Sequence, residues 1–150
     1  MSIQRQIFEN IKAKLEELPW PNLVEYENIR LMVADFNSHE FPAVQIYDNG
    51  ETATNLQALN EVVLNFSVEI VLTRTPGELV NQGLLFDRKL EVKRKIGEDP
   101  TLGIVGSPSI GSFKNVQYVG GVTDFHTLNP HYLARLDFQA LFNEPFVRDC

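Results

Sequence analysis

Val62-Val63-Leu64-Asn65-Phe66-Ser67-Val68-Glu69-Ile70-Val71-Leu72 decides the fold of this chain. Val62, Leu64, Phe66, Val68, Ile70 and Leu72 occupy one side of a period-two pattern. Asn65, Ser67 and Glu69, with Val63, Val71 and the following Thr73, occupy the other. Successive side chains of a strand point to opposite faces, so the stretch predicts a strand with one wholly apolar face. At roughly 3.4 Å per residue it spans about 37 Å, which is long for a strand and demands a partner of matching length. Residues 132–142 supply that partner: Tyr132, Ala134, Leu136, Phe138, Ala140 and Phe142 alternate with Arg135, Asp137 and Gln139. Two such ribbons with a helix on their apolar face make the predicted core.

Outward from this pair, the first helix is clear. Ser2 can cap a segment in which Ile3, Ile7, Ile11, Leu15 and Leu18 recur every three to four residues, and Pro19 ends it. Residues 28–34 alternate weakly and predict a strand, as do residues 41–47. Asp48-Asn49-Gly50 then reads as a turn, because Asn and Gly tolerate positive φ, and residues 51–58 read as a polar hairpin tip. Thr75-Pro76-Gly77-Glu78 has the form of a capping box with Pro at the first helical position. It predicts a second helix over residues 76–96, closed by Gly97 as a left-handed cap. Residues 113–119 predict a strand broken by Gly120-Gly121, with a loop to His131. The order is helix, two weak strands, a long strand, helix, two strands. That order predicts an α+β fold: a mostly antiparallel sheet with two long strands, and two main helices on one face.

With 150 residues and 43% hydrophobic content the chain is long enough to bury the core of one domain, residues 1–150. No apolar run approaches the ~20 residues of a membrane span, and MSIQRQIFEN is polar where a signal peptide would be apolar. The expectation is a protein of the cytoplasm or of something assembled there. A net charge of −7 argues against a protein that grips nucleic acid, which normally carries a basic stripe. Cys150 is the sole cysteine, which excludes an internal disulfide and leaves an intermolecular one open.

Chemistry is hard to find. Asp124, His126 and His131 have only loose metal-ligand spacing, without the three or four rigidly held ligands of a zinc site. Gly106-Ser107-Pro108-Ser109-Ile110-Gly111 is not a nucleophile elbow, and no glycine loop carries the spacing and lysine of a phosphate cradle. Glu16-Glu17 and Glu98-Asp99 read as solvated charge, and His39 as a loop residue. We expect no catalytic residue, no metal and no cofactor.

The second helix offers two apolar stripes. Leu79, Gly83, Phe86 and Leu90 form one, assigned here to the sheet. Leu85, Val92 and Ile96 form the other, left for a neighbour or for the first helix. Phe146 and Val147 follow Pro145 beyond the last strand, and Phe125 and Leu128 lie in the preceding loop. Leu85, Val92, Ile96, Phe125, Leu128, Phe146 and Val147 are therefore the candidate subunit or partner contacts, because a contiguous exposed apolar patch usually marks an interface.

Taken together, five features carry a resemblance. They are the N-terminal helix ending in Leu18-Pro19-Trp20-Pro21; the Pro-led Phe41-Pro42-Ala43-Val44-Gln45-Ile46 running into Asp48-Asn49-Gly50-Glu51; the long strand before the second helix; that helix's stop, Asp99-Pro100-Thr101-Leu102-Gly103; and the closing Ala134-Arg135-Leu136-Asp137-Phe138-Gln139-Ala140. The chain resembles the tail-terminator (tail-completion) proteins of long-tailed bacteriophages, the group typified by the minor tail protein U of lambda. The resemblance implies an α+β subunit of a homo-oligomeric ring, usually a hexamer, that caps the tail tube, ends its polymerisation and joins it to the head. Implied partners are the tail tube protein, a neck or head-completion protein and, in a contractile tail, the sheath protein. DNA would only pass through the lumen, no membrane is involved, and the protein would be found in the virion after assembly in the host cytoplasm. The loop 120–131 is longer than this family leads one to expect, which leaves open another neck or head–tail connector role. A small ligand-binding α+β domain is the third reading, and a deep apolar pocket with convergent polar groups would favour it.

Overall fold

A computed structural model of the chain describes residues 2–56, 58–75, 77–125 and 129–145. The long stretch forms β3, Leu59–Thr73, and its predicted partner forms β5, His131–Pro145. They pair antiparallel along their whole length, with Val62 opposite Phe142, Phe66 opposite Phe138 and Leu72 opposite Tyr132. All six alternating apolar residues of each ribbon are buried. The matched period excludes a one-residue slip, which would turn one apolar set to the other face.

β2, Ala43–Leu56, flanks β3 antiparallel, and the three-residue β1, Leu23–Glu25, lies parallel to the start of β2. β4, Ser112–Asp124, flanks β5, so the five-stranded sheet has the order β1-β2-β3-β5-β4. Two helices complete the α+β architecture. α1, Ile3–Glu16, is capped by the Ser2 hydroxyl, which accepts from the Arg5 N–H, and it delivers Ile3, Ile7, Phe8, Ile11 and Leu15 to the core. α2, Gln82–Gly97, delivers Leu85, Val92 and Ile96. The sheet's apolar face thus packs on both helices, as the predicted α+β order has it.

Several local expectations are corrected. Residues 28–34 form no strand. The Arg30 N–H donates to Gln45 Oε1 at 2.8 Å, and the Gln45 side-chain amide donates back to the Arg30 carbonyl at 3.2 Å. One buried side-chain amide satisfies both backbone groups that a neighbouring strand would have paired. Asp48-Asn49-Gly50 is not a hairpin turn but a register shift inside β2, with Gly50 at φ +97°, and the strand continues to Leu56 opposite Leu59. Glu51 to Leu56 is therefore a strand rather than a polar loop: β3 is long enough to template it. Gly120-Gly121 likewise does not end β4. A second shift between Tyr118 and Gly120 absorbs the glycines and pairing resumes to Asp124.

The second helix starts six residues later than predicted. Thr75 and Glu78 form a turn, the Glu78 N–H donating to the Thr75 carbonyl at 2.9 Å, but Gly77 at φ +91° cannot continue as a helix. Asn81 caps instead, its Oδ1 accepting from the Leu84 N–H at 2.9 Å. At the far end Gly97 lies within the helix, and the left-handed residues are Leu102 and Gly103. The late start also exchanges the two stripes. Without Leu79, which is 91% exposed, the first stripe keeps only two large apolar groups against three in the second. Leu85, Val92 and Ile96 turn inward at 0–1% exposure, while Phe86 and Leu90 face out at 53% and 44%.

Candidate assembly surfaces

The reversal changes which residues are free to meet a partner. Leu85, Val92 and Ile96 pack in the protomer core, so they are removed from the candidate contacts. Phe125 is half-buried, its ring 6.3 Å from that of Tyr132, and it walls a cleft of about 420 Å³ with Arg74, Val80, Gln82 and Asn129. Leu128, Phe146 and Val147 lie outside the described residues, as do His126 and Cys150. Exposed apolar groups that the sequence reading missed as contacts include Phe86 and Leu90 on α2 and Tyr118, Val119 and Val122 on β4, with Leu31, Met32, Leu56, Leu59, Leu79 and Val105 elsewhere. Phe86 and Leu90 were visible as a stripe. The β4 residues carried no signal, because alternation shows which side of a strand is apolar but not whether the strand lies at an edge.

The sheet's other face is a hydrogen-bonded polar mesh rather than a row of solvated charges. The Gln45 amide donates to the Tyr47 hydroxyl at 2.8 Å, and that hydroxyl donates to Glu69 at 3.2 Å. Burial raises the pKa of both Tyr47 and Glu69. Asn49 donates to Ser67, whose hydroxyl donates to Asp137 at 2.6 Å, and Arg135 donates to the same carboxylate at 3.1 Å. Neighbouring strands hold these groups at cross-strand distance, so their partners are fixed by register.

Beside this mesh, residues 26–40 are anchored by Arg30, which reaches Glu40 at 2.7 Å and Glu25 at 3.5 Å. The Asn37 N–H donates to the buried Glu40 carboxylate at 2.7 Å. This bond, with Arg30 adding to it against the cost of burial, holds the Glu40 pKa below its ordinary value. A folded-state pKa below the unfolded one stabilises above the unfolded value and is lost as pH falls through the folded value. Glu69, whose pKa is raised, acts in the opposite sense. Acid titration of thermal stability should therefore show a steeper fall below about pH 4 in the wild type than in Glu40→Gln. Equal slopes would show that this carboxylate adds nothing.

The paired acids are not simply solvated either. Glu17 meets Lys95 at 2.6 Å, and Glu98 meets Lys14 at 3.6 Å, tying the ends of α1 and α2 together. Asp99 accepts from the Thr101 hydroxyl and N–H.

Around His131 the geometry is aromatic. Phe41 stacks on its ring at 4.4 Å, its Nδ1 lies 2.8 Å from the Thr73 hydroxyl, and burial lowers its pKa. The surrounding groove, about 530 Å³, is lined by Phe36, Ser38, Phe41, Thr73, Arg74, Thr75 and His131. Arg74 turns away to Asn129 and the Glu78 carbonyl. Among the described residues no three His, Cys, Asp or Glu side chains group as metal ligands, and no helix is long and apolar enough to cross a membrane.

No family model matches this chain, and no curated protein matches it. Among solved structures it is similar to a chain of the virion of a native gene transfer agent particle, with a TM-score of 0.56. The match covers 95% of each chain at 9% sequence identity. At that identity the likeness is one of fold alone.

Proposed function

We propose that this chain is a structural virion protein that caps a bacteriophage tail tube as a ring of identical subunits, six by the family resemblance. The observation that carries the reading is the shared fold over 95% of a virion chain, from a sequence whose order of elements already resembled the tail terminators. Its action is geometric. The ring occupies the growing end of the tube with a face that the tube protein cannot extend, and offers its other face to a neck or head-completion protein. In a contractile tail the sheath would stop at the same level, and DNA would pass through the lumen. The role calls for no catalysis and no cofactor, and it places the protein in the virion after assembly in the host cytoplasm.

Light scattering across a concentration series tests the reading. Six copies of a 17.1 kDa chain should give a particle of about 100 kDa. Added to polymerising tube protein, that particle should arrest elongation. A chain that stays at the protomer mass at every concentration, or tubes that keep growing in its presence, would overturn it.

A further inference from the structure

The two margins of the sheet are open and chemically opposite. At one margin β1 pairs only with Ala43, Val44 and Gln45, so the rest of β2 has no strand beyond it among the described residues. Glu51 to Leu56 is exposed throughout. From Ala43 to Leu56 there is no lysine, arginine or proline, the residues that usually keep an edge strand from pairing with another chain. Its charges are Asp48 and Glu51 alone. Among the described residues neither forms an ion pair: Asp48 accepts from the Gln4 amide and the Gly50 N–H, and Glu51 faces the like charges of Glu144 and Asp48.

At the other margin β4 is the outer strand, and α2 runs beside it. Phe86, Leu90 and Lys93 share one stripe of α2, and the Lys93 ammonium sits 4.4 Å over the Tyr118 ring. Tyr118, Val119 and Val122 on β4 are 43–54% exposed, as are Phe86 and Leu90; Tyr118 lies on the helix face of the sheet, opposite Phe138, and Val122 on the other face, opposite Arg135. Lys89 lies over the Phe86 ring at 5.9 Å. Neither lysine has a carboxylate within ion-pair distance among the described residues, whereas Lys12, Lys14, Lys95 and Lys114 all do. Among the described residues one margin is therefore apolar with unpaired cations, and the opposite margin of the same sheet is a strand edge, bulged between Asp48 and Glu51 and open beyond it, with unpaired anions.

We propose that the β4–α2 margin of one copy docks on the open β2 edge of the next, with Lys89 and Lys93 facing Asp48 and Glu51. The partner is a second copy of this chain. Because the two surfaces are different and lie at opposite ends of one sheet, the contact is head-to-tail, the kind that closes a ring rather than stopping at a dimer. Apolar side chains exclude water at the centre, and a strand edge with free N–H and C=O groups supplies directional pairing. The inference rests on the ring reading and names the surfaces that build it.

Two charge-bearing variants test it. Leu90→Glu with Val119→Glu blocks the first margin, and Glu51→Lys with Thr54→Lys blocks the second. All four sites are exposed, and circular dichroism with a melt confirms folding. Each variant alone should lose the ring and stay near 17 kDa, and the two mixed should form a pair of about 34 kDa and nothing larger, since each retains one intact margin. Should the first variant unfold, Lys89→Glu with Lys93→Glu blocks the same margin from its solvated charges alone. A full-size assembly surviving in both variants overturns the assignment of surfaces while leaving the ring intact, as does a mixture that stays at 17 kDa. A wild-type chain that never assembles overturns the ring reading itself.

Discussion

Phe66→Ala and Phe138→Ala should each lower the free energy of unfolding by about 3–5 kcal/mol, the range for removing a buried aromatic ring and leaving its cavity. Phe66 is 0% exposed and Phe138 3%, and they face each other across the β3–β5 ladder. Their rings stack at 5.4 Å with an interplanar angle of 11°. Phe8 from α1 meets Phe66 edge-on at 5.8 Å, and Tyr118 from β4 meets Phe138 edge-on at 5.4 Å. The cluster links four elements, so no single neighbour can relax to fill the void. Because the rings touch, the two losses should not add: the double variant should differ from their sum by about 0.5 kcal/mol or more. Denaturant unfolding with a constant m-value measures each loss. A cost under about 1 kcal/mol at both sites would place the wrong face inward.

Val92→Glu should abolish the folded protomer at neutral pH rather than release one. Val92 is 0% exposed, between Leu85 and Ile96 on the inward stripe of α2, and a carboxylate there would lose its hydration among apolar neighbours. An unpaired buried charge costs several kcal/mol or forces the group to stay protonated, against a total stability of roughly 5–15 kcal/mol for a domain. Leu90→Glu, two residues earlier, lands at a site 44% exposed and should leave a folded protomer with a cooperative melt. The pair of melts separates core from surface on one helix. A folded Val92→Glu protomer beside an unfolded Leu90→Glu would return the stripes to the assignment drawn from sequence. Residual structure should return to Val92→Glu in acid, because protonation removes the buried charge.

The α2 error shows how far periodicity reaches. Leu79, Phe86 and Leu90 were as regular as Leu85, Val92 and Ile96, and both sets satisfied helical spacing. Which one faced the sheet depended on where the helix began, and that was settled by Asn81 out-competing Thr75 behind a left-handed Gly77. A cap is a local choice between two sites of similar merit. The consequence, three core residues exchanged for two surface ones, is carried along the whole helix.

β2 makes the complementary case. Asp48-Asn49-Gly50 has the chemistry of a turn, and Glu51-Thr52-Ala53-Thr54-Asn55 has no apolar face to announce a strand. It is a strand because β3 beside it is long, and an unpaired ladder on β3 would leave backbone donors and acceptors unsatisfied. The turn residues survive as a bulge. Here tertiary context overrides local propensity, as it did for residues 28–34, whose weak alternation lost to the Gln45 amide.

What the sequence determined by itself was everything set by a strong, long repeat: the β3–β5 pair, the apolar face, α1 with its Ser2 cap, and hence the α+β class. A period of two sustained over eleven residues fixes which side of each ribbon stays dry, because a one-residue slip would turn all six side chains to the other face. What only the tertiary structure decided was which surfaces remain. Edge or centre, inward or outward stripe, bulge or turn are properties of an element's neighbours rather than of its own residues. The open β2 edge and the apolar β4–α2 margin exist because nothing else among the described residues covers them, and a residue's sequence neighbourhood does not record what fails to pack against it.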